Sequence, residues 1–266
     1  MSSDTLSAQA QPQTLALDFD GILCNGLREY FQSTWRTYRQ IWPTSTELPP
    51  DTLAESFFRL RPVIETGWEM PVLLRAILKG FTESSILDQW PEIRDRVVAQ
   101  EDLAASELGP QLDAVRDRWI QTDLSGWLGL HNFYPGAIEL VQRLLNRKFP
   151  LFIITTKESR FVAALLEQHG VEFPRDRIFG KDSHRPKADT LRLLQQTAPT
   201  PIWFVEDRLV TLQKIQTQSD LAEIGLFLGD WGYNTPRDLQ SAAQDPRINL
   251  LSLSQLNQEF SAWVSH

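Results

Sequence analysis

The sequence predicts an α/β protein in which a parallel sheet is interrupted by a large, all-helical insertion. A short apolar run beginning at Thr14 ends in acidic residues and a glycine, which is typical of a strand that is buried on both faces. From Pro135 onwards, apolar strand patterns alternate with amphipathic helix patterns, as is typical of a parallel sheet with right-handed crossovers. Residues 26–130 show helix-like spacing alone, so we expect them to be inserted after the first strand.

The later strands and helices follow one another in regular order. We predict strands over residues 149–156, 177–180, 201–207 and 223–228 and one near residue 249. Helices are predicted over residues 135–147, 160–169, 188–196 and 209–217, with a last helix after the final strand. The insertion contains about five helices, one of them over residues 90–100, and such a set can form a bundle of its own.

The domain organisation follows from this pattern. We expect residues 14–25 and 131–266 to form the α/β core domain, and residues 26–130 to form the helical domain. Residues 1–13 carry neither a basic segment nor an apolar core. We therefore expect a short disordered lead-in there rather than a signal peptide.

Composition and charge narrow the class of protein. The 266 residues are 42% hydrophobic and 23% charged, which is ordinary for a globular protein. The net charge of −8 argues against a nucleic-acid partner, because phosphate backbones are bound by clustered Lys and Arg. No apolar run approaches the ~20 residues that span a bilayer, so we expect no membrane partner. The single cysteine, Cys24, excludes an internal disulfide and fits a reducing, cytoplasmic location.

Two acids, Asp18 and Asp20, stand at the carboxyl end of the first predicted strand. Burying an unpaired carboxylate is costly, and ligands of open α/β sheets bind outside the carboxyl ends of the strands. We therefore expect these acids to hold a cation or to perform chemistry. The alternative is that they only cap a helix or a turn.

Polar residues stand at three further predicted strand ends, in the segments Thr155-Thr156-Lys157, Arg185-Pro186-Lys187 and Glu206-Asp207. With these residues the sequence resembles the haloacid dehalogenase-like hydrolase superfamily. The family's four motifs match, in order, Asp18-Phe19-Asp20-Gly21, Thr155, Lys187 and Glu206-Asp207. The segment Tyr134-Pro135-Gly136 also resembles the family's lead into the helix that precedes the second motif.

The resemblance implies a Rossmann-like sheet, an inserted helical cap of the type called C1, and phosphate-ester chemistry with Mg²⁺ as cofactor. In the family, the first aspartate attacks the phosphoryl group and forms an aspartyl-phosphate, a role that falls here on Asp18. The second aspartate, here Asp20, is the general acid and then the general base, which typically contributes ~10²–10⁴-fold. An aspartate at this second position favours a phosphatase or phosphomutase over a dehalogenase.

The same resemblance implies the ligands of Mg²⁺, a cation that prefers oxygen donors and one or two carboxylates. They are Asp18, the backbone carbonyl of Asp20, and Asp207, with Glu206 beside it. Glu206 can alternatively orient a metal-bound water or pair with Arg208.

One position departs from the pattern of the family. Many members carry a further acid four residues after the aspartate of the fourth motif, where this sequence has Thr211. The adjacent Glu206-Asp207 pair resembles the variant that keeps both acids together. The segment Trp231-Gly232-Tyr233-Asn234 lies at the carboxyl end of the predicted strand over residues 223–228. We expect it to pack its loop, and the alternative is that it borders the site.

Phosphate contacts are also implied by the resemblance. Thr155 is expected to donate its hydroxyl and its backbone N–H to phosphate oxygens, with Thr156 as the alternative donor. Lys187 is expected to hold the nucleophile ionised and to offset developing charge. Lys181 and Arg185 are alternatives for this cation.

Within the predicted cap, one segment concentrates polar and aromatic residues, from Arg59 to Glu69. A cap closes over the site and contacts the leaving group, and Asn25-Gly26 is a natural hinge. We expect Arg61 or Glu65 to bind the leaving group. The alternative is an ordinary interhelical turn with a surface salt bridge.

Together these observations predict a Mg²⁺-dependent phosphomonoester hydrolase that acts on a small phosphorylated metabolite, as a monomer or a homodimer. A phosphomutase acting on a sugar phosphate would use the same residues. A binding or scaffold protein that has kept the fold without the activity is the alternative outside enzymology.

Overall fold

The computed structural model describes residues 11–43 and 47–264. The chain divides into two compact units, one formed by the residues up to Asn25 together with Phe133 onwards, and the other by Gly26–Asn132.

A six-stranded parallel sheet forms the centre of the first unit. The strands of the described residues are Thr14–Leu17 (β1), Cys24–Asn25 (β2), Asn132–Phe133 (β3), Leu151–Ile154 (β4), Ile178–Phe179 (β5), Ile202–Glu206 (β6), Gly225–Gly229 (β7) and Ile248–Leu251 (β8). The order in the sheet is β5-β4-β1-β6-β7-β8, and β2 and β3 pair with each other. The predicted fold class, an α/β protein with a parallel sheet flanked by helices, is confirmed.

Strand β1 lies in the interior of this sheet. Its Leu15 pairs with Leu151 of β4 on one side and with Trp203 of β6 on the other. Every residue of β1 and β6 is buried, which explains their unbroken apolar runs. Because the strands are parallel, the residues that follow β1, β4 and β6 lie at the same edge of the sheet.

Twelve α-helices occur in the described residues. Six belong to the helical unit: Leu27–Ile41 (α1), Leu53–Leu60 (α2), Glu69–Leu78 (α3), Glu83–Gln100 (α4), Ala105–Thr122 (α5) and Leu124–Leu128 (α6). Six belong to the sheet unit: Ala137–Asn146 (α7), Ser159–Gln168 (α8), Lys187–Thr197 (α9), Leu209–Gln216 (α10), Pro236–Gln244 (α11) and Leu253–Leu256 (α12).

Both faces of the sheet are covered by apolar residues. On one face, Phe204 and Leu226 belong to a buried cluster that includes residues of α9, α10 and α11. On the other, Trp203 and Phe227 pack against Trp263 near the carboxyl end of the chain. The sheet is therefore a buried layer, and its edges are where polar residues can be placed.

The helical unit is built around α1, which packs against α3 and α5. A buried carboxylate connects two of these helices, because Glu29 of α1 accepts hydrogen bonds from Arg116 Nε of α5 (2.8 Å) and from Trp127 Nε1 (3.1 Å). Such a pair needs the surrounding hydrogen bonds to offset the cost of burial.

Some predicted boundaries differ from the structure. Helix α4 begins at Glu83 rather than near residue 90, because Thr82 caps it by accepting the Ser85 N–H (3.2 Å). The helix then passes through a non-helical residue, Gln89 (φ −136°, ψ 35°), before Pro91. Helices α6 and α11 were not predicted, and α6 is only five residues long, too short for a periodic pattern.

Residues 1–10 of the predicted lead-in lie outside the described residues. At the end of this segment, the Gln13 N–H donates to the Pro201 carbonyl (2.8 Å), which connects Gln13 to the chain just before β6. In the part of the chain that the structure covers, no helix has the length and apolar character needed to cross a bilayer.

Candidate active site

The loop after β1 turns sharply and lies directly against Asp207. Gly21 has φ +88°, and a Cβ at this position would lie 2.2 Å from Asp207 Oδ2. Only glycine combines this left-handed conformation with so close an approach. The loop that carries Asp18 and Asp20 is thereby brought next to the end of β6.

Three buried carboxylates meet at this edge of the sheet. Asp18, Glu206 and Asp207 each offer one carboxylate oxygen, and these atoms lie within 4.8 Å of one another. Asp18 is 7% exposed, Asp207 1% and Glu206 not at all. Burial of three acids so close together is unfavourable without compensating positive charge.

Lys187 supplies part of that charge. As the first residue of α9, it directs its ammonium to Asp18 Oδ2 (2.8 Å) and to Glu206 Oε2 (2.6 Å). The two alternatives, Lys181 and Arg185, are exposed, and the Arg185 guanidinium lies 6.0 Å from the Phe179 ring centre. The structure thus brings Lys187 to the acids.

Burial sets the protonation of the cluster. It raises the pKa of Asp18 to about 7, against the opposing attraction of Lys187. It likewise raises the pKa of Glu206 to about 7 and that of Asp207 to about 6. Burial lowers the pKa of Lys187, but Asp18 and Glu206 more than offset this and hold it above its usual value. Lys187 keeps its charge because two carboxylates face it. Once all three acids are ionised, they and this ammonium leave a surplus of two negative charges.

The donor set fits a hard divalent cation. All three acids offer oxygen, which Mg²⁺ prefers, and the surplus charge equals that of one such ion. Glu206 is already engaged at both oxygens, by Lys187 and by the Arg208 N–H (3.0 Å). Asp207 accepts the Tyr233 N–H at Oδ2 (3.1 Å), and Asp18 accepts the Phe19 N–H at Oδ1 (2.7 Å).

Asp20 lies beside a cation that was not predicted. Its Oδ2 is 3.4 Å from Lys157 Nζ, and the two side chains are 15% and 8% exposed. Asp20 Oδ1 is buried and has no hydrogen-bond partner among the described residues. The only sequence signal for Lys157 was its place directly after the two threonines at the end of β4.

The two threonines differ in their surroundings. Thr155 is buried and its hydroxyl oxygen accepts the Lys157 N–H (3.1 Å), whereas Thr156 is exposed. The backbone N–H of Thr155 donates to the Phe179 carbonyl (3.0 Å), because Thr155 continues the pairing between β4 and β5. The expectation that this N–H donates to phosphate is therefore wrong, while the hydroxyl proton remains available as a donor.

The loop after β7 supports Asp207. Besides the Tyr233 N–H, it brings Gly232 so close that a Cβ there would lie 2.3 Å from Asp207 Cβ. The Arg208 guanidinium donates to the Tyr233 carbonyl (3.2 Å), which ties the end of β6 to this loop. We expected this segment to pack its loop. Its position directly after β7, the strand next to β6, was the sequence signal that it could border the site. Thr211, the position at which the resemblance implies a further acid, lies within α10.

Arg61 and Glu65 belong to the helical unit. The Arg61 guanidinium donates to the Ile64 carbonyl (3.2 Å) and lies 4.9 Å from the Tyr30 ring centre. Glu65 is exposed in the loop before α3. Their suggested contact with a leaving group stays a prediction.

This arrangement defines a class: α/β proteins whose ligand site lies at the carboxyl edge of a parallel sheet. Within that class, a family model described as haloacid dehalogenase-like hydrolase matches residues 12–213. The chain belongs to this family, and the prediction of the superfamily and of a hydrolase is confirmed.

Individual relatives point the same way. A protein of Vibrio vulnificus (strain CMCP6) named phosphoglycolate phosphatase is 27% identical over 255 residues, which cover 93% of this chain and 96% of that protein. A structure from Clostridium acetobutylicum, titled a predicted phosphatase, has a TM-score of 0.58 at 15% identity and covers 93% of this chain and 97% of its own. One from Haemophilus somnus 129PT, titled a predicted phosphoglycolate phosphatase, has a TM-score of 0.55 at 17% identity, with 90% and 94% covered. The two structures show similarity of fold.

Proposed function

We propose that this protein is a Mg²⁺-dependent phosphomonoester hydrolase that acts on a small phosphorylated metabolite through an aspartyl-phosphate intermediate. The observation that carries the proposal is the ion pair between buried Asp18 and the half-buried Lys187, 2.8 Å apart, beside Glu206 and Asp207. A carboxylate held next to a lysine at the edge of the sheet is suited to nucleophilic attack on a phosphoryl group.

Asp18 is the nucleophile in this proposal. Its carboxylate attacks phosphorus, and the bond from phosphorus to the leaving oxygen breaks with its electron pair on that oxygen. Burial raises the pKa of Asp18 to about 7 even against the attraction of Lys187, so without a bound cation Asp18 is partly protonated near pH 7. Lys187 favours the ionised form and offsets charge on the phosphoryl oxygens.

Asp20 moves the proton. It donates a proton to the leaving oxygen and then accepts one from the water that attacks the phosphorylated Asp18, so that inorganic phosphate is released. Asp20 Oδ1, which is buried and unpartnered among the described residues, is the oxygen suited to this exchange. Lys157 holds the other oxygen at 3.4 Å and thereby orients the carboxyl group.

The remaining residues bind rather than react. The Thr155 hydroxyl donates to a phosphoryl oxygen, with the exposed Thr156 beside it. Asp18, Asp207 and the Asp20 backbone carbonyl would hold Mg²⁺, and Glu206 positions Lys187. When bound, the ion neutralises the acids and the phosphate dianion and so permits their approach.

Phosphoglycolate is the first substrate to test, because the Vibrio vulnificus relative carries the name phosphoglycolate phosphatase. In this proposal the helical unit selects the leaving group, through Arg61 or Glu65. A small carboxylate-bearing alcohol would suit the guanidinium of Arg61.

The test is release of inorganic phosphate from p-nitrophenyl phosphate and from phosphoglycolate, with and without Mg²⁺. We expect Mg²⁺-dependent release that Asp18→Asn abolishes. Asp176→Asn, the same change at an exposed aspartate, is the matched control and should keep full activity. Undiminished turnover in Asp18→Asn, or no turnover over a broad panel of phosphate esters, would refute the proposal. A rearranged phosphate ester in place of free phosphate would identify a phosphomutase.

A further inference from the structure

One cleft on the helical unit is lined by residues none of which takes part in the proposed mechanism. It is formed by the second half of α1 and the last turns of α5, and its volume is about 490 Å³. Clefts of ~300–1,000 Å³ are of the size that binds small molecules. The site therefore has room for a ligand of moderate size.

The charge of this cleft is opposite to that of the chain. Three arginines line it, Arg36 and Arg39 from α1 and Arg118 from α5, and no Asp or Glu is among the lining residues. The chain as a whole has a net charge of −8. Like charges three residues apart on one helix, as in Arg36 and Arg39, repel one another. Arg36 and Arg118 are exposed, so solvent screens part of this repulsion, and a bound anion would relieve the rest.

Neighbouring groups offset this charge only in part. Over residues 11–43 and 47–264, none of the three guanidinium groups forms a salt bridge or a hydrogen bond to a carboxylate. Asp123 attracts Arg36, but its Oδ1 accepts the Gly126 N–H (2.8 Å) as the cap of α6. Arg39 lies in the last turn of α1, where the negative end of the helix dipole stabilises a positive charge. The helix dipole gives no such stabilisation to Arg36 or Arg118.

An aromatic ring fixes one of the three arginines. The Arg36 guanidinium lies over the Trp119 ring, 3.6 Å from its centroid, and Trp119 is 7% exposed. A guanidinium stacked on a ring keeps its N–H edges free to bind phosphate oxygens in a bidentate manner. Because Arg36 already covers the ring, the face of Trp119 is less suited to stacking a nucleobase.

We propose that the cleft between α1 and α5 binds an oligophosphate, with Arg36, Arg39 and Arg118 contacting successive phosphoryl groups. Three cations spread over two helices suit a chain of phosphates better than one compact phosphate. The ligand is a free polyphosphate or the phosphate chain of a nucleotide. This site is independent of the proposed catalysis.

The experiment is isothermal titration calorimetry of the full chain with sodium tripolyphosphate, ATP and inorganic phosphate, without Mg²⁺, at ~150 mM salt. We expect one-to-one binding of tripolyphosphate, weakened at least ~tenfold by Arg39→Gln and by Arg118→Gln. Inorganic phosphate should bind more weakly than tripolyphosphate. If ATP binds no more tightly than tripolyphosphate, the ligand is a free polyphosphate. If ATP binds more tightly, the ligand is a nucleotide.

The control is Arg96→Gln, which removes another exposed arginine from α4 of the same unit and should leave the affinity unchanged. Circular dichroism checks that each variant is folded, and having two cleft variants keeps the test decisive if one is not. No binding of tripolyphosphate, binding insensitive to both cleft variants, or an equal loss in Arg96→Gln would overturn the proposal. None of these outcomes depends on turnover. The oligophosphate site can therefore be refuted while the proposed hydrolase activity stands, and the hydrolase activity can be refuted while the oligophosphate site stands.

Discussion

Glu206 contacts both the ammonium of Lys187 and the backbone at the end of β6. One of its oxygens holds the Lys187 ammonium at 2.6 Å, and the other accepts the Arg208 N–H at 3.0 Å. Of the two carboxylates that face the Lys187 ammonium, Glu206 is the nearer, at 2.6 Å against 2.8 Å for Asp18. We infer that Glu206 chiefly positions Lys187 and that Asp207 is the better candidate for a metal ligand.

Substituting the two acids separately distinguishes these roles. We expect Glu206→Gln to lower kcat by ~10–100-fold, as is typical when a supporting residue is lost, while Mg²⁺ affinity changes little. Asp207→Asn should weaken Mg²⁺ binding much more. The Mg²⁺ dependence of the initial rate measures both effects. An equal loss of Mg²⁺ affinity in the two variants would show that Glu206 is itself a ligand.

A second prediction at the scale of one residue concerns the contact of Lys157 with Asp20. If it orients Asp20 for proton donation, Lys157→Met should slow an alkyl phosphate, whose leaving group needs the proton, by ~10²-fold. p-Nitrophenyl phosphate has a good leaving group and should lose far less. Rates on the two substrates give the comparison, and Lys157→Arg should restore part of the activity. An equal decrease in rate on both substrates would show that the role of Lys157 is structural only.

At the scale of elements, the site depends on the four loops that follow β1, β4, β6 and β7 and on the start of α9, which carries Lys187. Parallel pairing brings these loops to one edge, and glycines let them approach closely. Gly21 and Gly232 both lie against Asp207, where a Cβ would be 2.2 Å and 2.3 Å from its atoms. The loops therefore position one another, and a single methyl group can separate them.

Gly21→Ala should disrupt both the loop and the site. The new Cβ would strain a backbone at φ +88° and collide with Asp207, so we expect lower stability together with loss of activity and of Mg²⁺ affinity. Gly170→Ala is the matched control, because Gly170 also has positive φ (+71°) but nothing lies within 4 Å of its Cβ position. It should cost only the backbone strain, ~1–2 kcal/mol, with activity kept. Urea unfolding and phosphate release measure the two effects, and an active Gly21→Ala enzyme would contradict this view of the loop.

The elements that could be predicted from the sequence are those with a strong local pattern. Strands β1 and β6 are unbroken apolar runs because they are buried on both faces, and Asp18 was conspicuous because it follows such a run. Strands β2 and β3, with two residues each, carry no periodicity. The contact of Lys157 with Asp20 depends on the pairing of β4 with β1, so no local pattern predicts it. The hydrogen-bond acceptor of the Thr155 N–H likewise belongs to β5, which is distant in sequence.

At the scale of the molecule, the buried acids connect pH, metal binding and stability. The pKa values of Asp18, Glu206 and Asp207 are raised from 3.8, 4.5 and 3.8 to about 7, 7 and 6. Between about pH 4 and pH 7 the folded protein therefore binds more protons than the unfolded chain, so the contribution of these groups to stability falls as pH rises. A divalent cation requires the deprotonated acids, and its stabilising effect must grow over the same range.

Thermal unfolding with and without Mg²⁺ tests this coupling. We expect MgCl₂ to raise Tm by a few degrees at pH 8, on the order of 2–4 °C per kcal/mol for a chain of this size, and to have little effect at pH 5. The control for ionic strength is NaCl, which should give no such increase. Asp207→Asn should lose most of the Mg²⁺ increment at pH 8, because it removes a ligand. If Mg²⁺ raised Tm equally at both pH values, or equally in Asp207→Asn, the cation would bind elsewhere and the charge surplus at Asp18, Glu206 and Asp207 would need another explanation.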